Sequence, residues 1–176
     1  MKTLTYMQLA YLVSQESKCC SWKVGAVIEK NGHILGMGYN GTASGHEHCR
    51  DVAQTEGWVN TNGEFIDAAM RSRHSAWSLK NEIHAEVNAM LFAARHGTTG
   101  LQGATMYVTL SPCVNCVNAI IQSGIKTLVY CEEYDYNDPN WAKPLTDAGV
   151  KVVKLNKSYL KMLNWENIQT EPKFVE

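Results

Sequence analysis

His84 and Glu86 stand two residues apart, and Cys113 and Cys116 follow roughly thirty residues later, directly behind Pro112. One imidazole and two thiolates make three zinc ligands. A structural zinc site is normally closed by four protein ligands, whereas a catalytic one keeps a position for water. Glu86 is close enough along the chain to reach that water, and a carboxylate there can take up and return protons. The set suits addition of hydroxide to a carbon bearing an exocyclic amine, with loss of ammonia. Two plainer readings stand beside it. Cys-x-x-Cys alone also marks a structural zinc knuckle or a redox pair, and a zinc-stabilised binding module would have no use for an acid at position 86.

The flanking elements must bring these side chains together. Apolar spacing predicts a helix over 85–95, with Val87, Met90, Leu91 and Ala94 on its apolar face and Gly97 as its stop. A second helix is predicted over 113–123, with Pro112 near its first turn and Gly124 at its end. His84 and Glu86 then start one helix, and Cys113 and Cys116 the other. Cysteines three apart share a helix face, and the positive end of a helix favours thiolate. Residues 104–110 and 125–131 read as strands around the second helix, a parallel crossover. Upstream, residues 3–16 place Leu4, Met7, Tyr11 and Val13 near helical spacing, and strands at 24–30 and 33–39 flank Asn31-Gly32, a strong hairpin signal. Gly36 and Gly38 inside the second strand suggest close approach by a ligand or other backbone. Residues 40–63 read as a long functional loop, 65–78 as holding a short helix, 141–148 as another, and 150–155 as a last strand.

The 176-residue chain is 45% apolar and 19% charged with a net charge of −1, which suits one globular domain over 1–176. The absence of a basic stripe argues against a nucleic-acid partner. No signal peptide or long apolar run is seen, so no membrane is expected and the location reads as cytoplasmic. Six cysteines in a reducing compartment are expected to bind metal or lie buried.

His84-Ala85-Glu86 with Pro112-Cys113-Val114-Asn115-Cys116 resembles the signature of the cytidine deaminase superfamily of zinc nucleotide deaminases. The likeness extends through SKCCSWKVGAVIEKNG, GYNG, NEIHAEVNAMLFAARHG, GATMYVTLSPC, QSGIK and LNWENI to the deoxycytidylate deaminase family, above all its T-even-type bacteriophage members. The resemblance implies an α/β, three-layer α/β/α fold with a mixed five-stranded sheet and helices on both faces. It implies zinc-dependent hydrolysis of dCMP to dUMP and ammonia, supplying dUMP for thymidylate synthesis. His84, Cys113 and Cys116 would hold the catalytic zinc and Glu86 would shuttle protons. Asn40 of GYNG matches the asparagine that holds the nucleoside near its sugar. A homohexamer is implied, activated by dCTP and inhibited by dTTP, both with Mg2+. Phe92 and Arg95 match positions tied to subunit contact and that regulation. The phage members also imply a second, structural zinc, whose ligands fall on Cys19, Cys49, His74 and Glu82. The chain departs from them in a shorter insertion between about Val59 and Arg71. It also reads HEHCR where a second Cys often follows Cys49, which makes His46 and His48 rival ligands. If phage-encoded, the enzyme would work in the host cytoplasm.

Other residues carry two readings each. Tyr134 either contacts the nucleotide beyond a strand's carboxyl end or packs at an edge. Ser21 and Lys23 either meet a phosphate or face solvent, as do Arg71 and Arg73. Trp22, Trp58, Trp77, Trp141 and Trp165 read as packing or interface, and Cys20 and Cys131 as small buried residues. Cytidine, guanine, tRNA adenosine and single-stranded DNA cytosine remain rival substrates for the same chemistry, the last two disfavoured by the near-neutral charge.

Overall fold

The computed structural model describes residues 3–97, 100–135 and 137–158; Trp165 and the LNWENI stretch at 163–168 lie outside them. In chain order the described residues form α1 (Thr3–Ser14), β1 (Gly25–Lys30), β2 (His33–Tyr39), β3 (Gly41–Thr42), α2 (Cys49–Thr55), α3 (Ala68–Asn81), β4 (Glu82–Ile83), α4 (Ala85–Arg95), β5 (Thr105–Leu110), α5 (Val114–Gln122), β6 (Thr127–Glu132), α6 (Lys143–Asp147) and β7 (Lys151–Lys154).

Asn31 and Gly32 both take positive φ, 54° and 84°, as a tight hairpin turn between right-twisted strands requires. β1 pairs antiparallel with β2 and with β5, while β5–β6 and β6–β7 run parallel. The sheet order is β2-β1-β5-β6-β7, the mixed five-stranded sheet expected. Alternation along the strands sorts the core into two layers. Ala26, Ile28, Met106, Val108, Leu128 and Tyr130 pack with Ala85 and Ala89 of α4, Val117 and Ile120 of α5 and Leu145 of α6. The intervening Val27, Tyr107, Val129 and Cys131 pack with Tyr6, Met7 and Ala10 of α1. Helices therefore cover both faces. Among the described residues no helix is long and apolar enough to cross a membrane.

The seating of α4 depends on two glycines. A Cβ on Gly36 would lie 2.3 Å from the Ala89 carbonyl oxygen, and one on Gly38 would lie 2.5 Å from the Ala89 nitrogen. Strand backbone thus touches helix backbone, and α4 presents Ala85, Ala89 and Ala93, all buried, to the contact. The face expected from spacing was different: Leu91 is 54% exposed and Ala94 also faces out. Apolar periodicity counts large side chains, whereas this contact admits only small ones. Gly38→Ala is expected to cost about 1–3 kcal/mol and to lower the melting temperature by roughly 2–12 °C. An unchanged thermal melt would show that α4 can retreat freely.

The stretch expected as a long loop is more ordered than its composition suggests. It contains β3 and α2, followed by an antiparallel bridge from Val59 to Phe65. The short helix expected at 65–78 is α3, capped by Asp67, whose side chain accepts from the Met70 N–H. β3 and β4 pair in a separate two-stranded sheet. A small cluster of Ala53, Trp58 and Val59, edged by Cys20, Val52, Phe65, Met70 and Trp77, holds this region. Of the fourteen residues of α3, only His74 is fully buried.

Candidate functional site

Strand ends and helix starts converge on the first cluster. His84 is the N-cap residue of α4 and Cys113 that of α5; both have extended backbone, and neither helix start is capped by a side chain. The free N–H groups of two first turns therefore leave partial positive charge beside the site. Cys113 Sγ lies 3.4 Å and Cys116 Sγ 3.3 Å from His84 Nδ1, and all three donor atoms lie within 4.8 Å of one another. Tetrahedral zinc with Zn–S of about 2.3 Å and Zn–N of about 2.0 Å spaces its S and N donors about 3.5 Å apart. The donor set fits that ion and leaves one coordination position open.

The electrostatics agree. Cys113 is pulled down to about 3, chiefly by its hydrogen bond with Cys116 and also by His84. Cys116 is pushed up by Cys113 and by burial. The metal-free pair thus shares one proton, which binding of a metal ion would release. The thiolate of Cys113 raises the pKa of His84. Glu86 is 4% exposed, and burial lifts its carboxyl above the usual range, toward the proton affinity that a general base needs near neutrality.

A second cluster lies at the other end of β4. Cys19, Cys49 at the start of α2, His74 in the middle of α3, and Glu82 place their donor atoms within 4.8 Å of one another. His74 Nε2 is 3.7 Å from Cys19 Sγ and 3.2 Å from Cys49 Sγ, and Cys19 Sγ is 3.4 Å from Glu82 Oε2. Glu82 Oε1 is buried without a hydrogen-bond partner, a costly state that a cation at the centre of the cluster would relieve. Four protein donors fit a closed tetrahedral site. His46 and His48 are exposed and stand outside it. Trp58 meets the His74 ring edge-on at 6.3 Å, and Phe65 lies 5.1 Å from it, so both rings shield the cluster.

The remaining sequence candidates divide. Asn40 is buried; its Oδ1 accepts the Val24 N–H at 2.8 Å and its Nδ2 donates to the Trp22 carbonyl at 2.9 Å. Its side chain thus braces the 22–24 segment that also carries Lys23. Tyr134 stands edge-on to Trp22 at 6.3 Å, which joins that segment to the loop after β6. Ser21 is half-buried, with its N–H on Cys19 Sγ, and Lys23 is exposed. Phe92 and Arg95 are exposed on α4, and Phe92 stacks on His96 with ring centroids 4.1 Å apart. Arg71 lies over the Phe65 ring, and Arg73 is exposed.

Two residues escaped the sequence reading. Buried Ser111 accepts the Tyr134 N–H at 2.8 Å and Asn137 Nδ2 at 3.1 Å, and Asn137 Nδ2 also reaches the Pro112 carbonyl at 3.0 Å. Together they tie the loop after β6 to the turn that presents Cys113. The only hint in the sequence was Ser111 beside Pro112; an asparagine before Asp-Pro reads simply as a turn residue.

Residues 1–132 match the family model described as the cytidine and deoxycytidylate deaminase zinc-binding region. The chain is 54% identical to deoxycytidylate deaminase of Enterobacteria phage T4, covering 96% of this chain and 97% of that one. It is 35% identical to ComE operon protein 2 of Bacillus subtilis (strain 168), over 93% of this chain and 77% of that one. In structure it resembles dCMP deaminase from the cyanophage S-TIM5, solved in complex with dCMP and dUMP, with a TM-score of 0.66 at 33% identity, covering 88% of this chain and 99% of that one.

Proposed function

The chain belongs to the cytidine and deoxycytidylate deaminase zinc-binding family, and from that membership we propose that it hydrolyses dCMP to dUMP and ammonia. The observation that carries this reading is the three-donor cluster of His84, Cys113 and Cys116 with buried Glu86 beside it on the same helix start. The phage T4 relative and the cyanophage complex with dCMP and dUMP support the choice of substrate.

His84, Cys113 and Cys116 would hold the zinc ion. When bound, zinc at such a site lowers the pKa of water in its open position to about 7. Glu86 accepts a proton from the attacking water and delivers it to N3 of the cytosine ring as C4 becomes tetrahedral. It then carries the second water proton to the 4-amino group, which leaves as ammonia while C4 becomes a carbonyl. Burial serves this role because a carboxylate whose pKa is raised takes a proton from water more readily than an ordinary one. Asn40, Tyr134, Ser21 and Lys23 would line the nucleotide, Asn40 near the sugar and Ser21 and Lys23 near the phosphate. Cys19, Cys49, His74 and Glu82 would hold a second, structural zinc that fixes the start of β4, two residues before His84.

The fuller reading is one catalytic domain over 1–176 in a homohexamer, working in the host cytoplasm and supplying dUMP for thymidylate synthesis. dCTP would activate and dTTP inhibit, each with Mg2+, through the α4 surface of Phe92 and Arg95. Ammonia release measured side by side on dCMP and deoxycytidine, with and without each triphosphate, tests substrate and control together. Turnover of dCMP is expected to exceed that of deoxycytidine by about 10²-fold or more, because polar groups built for a phosphate are left unpaired without it. Equal rates on the two would overturn the nucleotide reading. A hyperbolic dCMP curve indifferent to both triphosphates would remove the regulation.

A further inference from the structure

A fifth polar group borders the second cluster. Cys20 Sγ lies 3.5 Å from Cys49 Sγ, yet Cys20 is not one of the four donors gathered around His74. Cys19, Cys49 and His74 are buried, whereas Cys20 is half-buried. A small solute approaching the cluster from solvent therefore meets Cys20 ahead of Cys49. We propose that Cys20 and Cys49 are a peroxide-sensitive thiol pair, with Cys20 the sulfur that is oxidised first and Cys49 the one that resolves it into a disulfide. This inference rests on the second-zinc reading only for its consequence, the release of metal.

The chemistry balances with hydrogen peroxide as oxidant. The Cys20 sulfur attacks one peroxide oxygen, the O–O bond breaks, and water leaves as Cys20 becomes a sulfenic acid. Cys49 then attacks Cys20 Sγ; the S–S bond forms, the S–O bond breaks, and the oxygen leaves as water with the proton from the Cys49 thiol. Two thiols and one peroxide give one disulfide and two waters. The sulfurs stand in contact at 3.5 Å and need to close to about 2.05 Å. The oxidised site keeps Cys19, His74 and Glu82 and loses one thiolate. Its hold on zinc weakens accordingly.

Full-length, zinc-loaded protein would be treated with hydrogen peroxide and followed by intact mass, peptide mapping and zinc release to a chromogenic chelator. Expected is the loss of two hydrogens per chain, a disulfide joining Cys20 to Cys49, release of one of two zinc ions, and reversal by dithiothreitol with added zinc. Cys20→Ser should keep the untreated rate and, at the same peroxide dose, give neither the link nor the release. A link elsewhere, Cys20 sulfinic acid without a disulfide, or zinc release from Cys20→Ser as fast as from the unaltered protein would overturn the proposal. Untreated protein with a single zinc per chain would overturn the second-zinc reading instead, and the mapped disulfide would still decide the thiol pair.

Discussion

Glu86→Ala is expected to lower dCMP turnover by about 10²–10⁴-fold while the zinc content stays that of the unaltered protein. The size follows from the role proposed for the side chain: without it, neither the transfer to N3 nor the transfer to the leaving amine would have a carrier. Metal is retained because His84, Cys113 and Cys116 are untouched, whereas His84→Ala should lose the ion. Stability separates this role from a merely structural one. Burial raises the folded-state pKa of Glu86 above its unfolded value, so ionising it opposes folding. That cost is absent below the unfolded pKa and grows as pH rises through the usual carboxylate range. Glu86→Gln should therefore be at least as stable as the unaltered protein at neutral pH, with the difference vanishing in acid, even as activity is lost. Turnover near that of the unaltered protein in either variant would remove Glu86 from the mechanism. Zinc analysis, ammonia release and thermal melts across pH make the three comparisons.

His74→Ala is expected to lose one zinc per chain and to melt roughly 5–11 °C lower. A ligand present at 100 times its dissociation constant stabilises the folded state by about 2.7 kcal/mol, and each kcal/mol moves the melting temperature of a chain this size by about 2–4 °C. The loss should centre on α3, which buries only His74 and otherwise leans on a cluster of three buried residues. Backbone N–H groups in α3 should exchange with solvent well before those of β1 and β5. If His74→Ala keeps two zinc ions and its melting temperature, His74 is not a ligand and the four-donor site does not exist.

What could be read in advance was chemistry expressed locally. Asn31-Gly32 signalled its hairpin because both turn residues must take positive φ, and His84 with Glu86 and Cys113 with Cys116 signalled their site because each pair belongs to one helix start. α2 was hidden because a seven-residue helix has too few turns to display a period, and because its start is His48-Cys49, with no capping side chain. The buried face of α4 was misjudged for a different reason. Its partner is glycine backbone, so the residues that pack tightest are the alanines that a hydrophobic pattern weighs least. Ser111 and Asn137 lay beyond reach because nothing local couples residues 26 positions apart.

The hairpin bridged between Val59 and Phe65 lies inside a loop already closed by the second cluster, which joins Cys19 to Glu82 across 63 positions. For a loop this long, the entropy of closure grows only with the logarithm of its length, and doubling it costs only about 0.6 kcal/mol. Residues at the tip, 60–64, are exposed, and the bridge beneath them holds the two sides together. Length at this tip is therefore almost free to drift: segments can be gained or lost here while the four donors stay where they are.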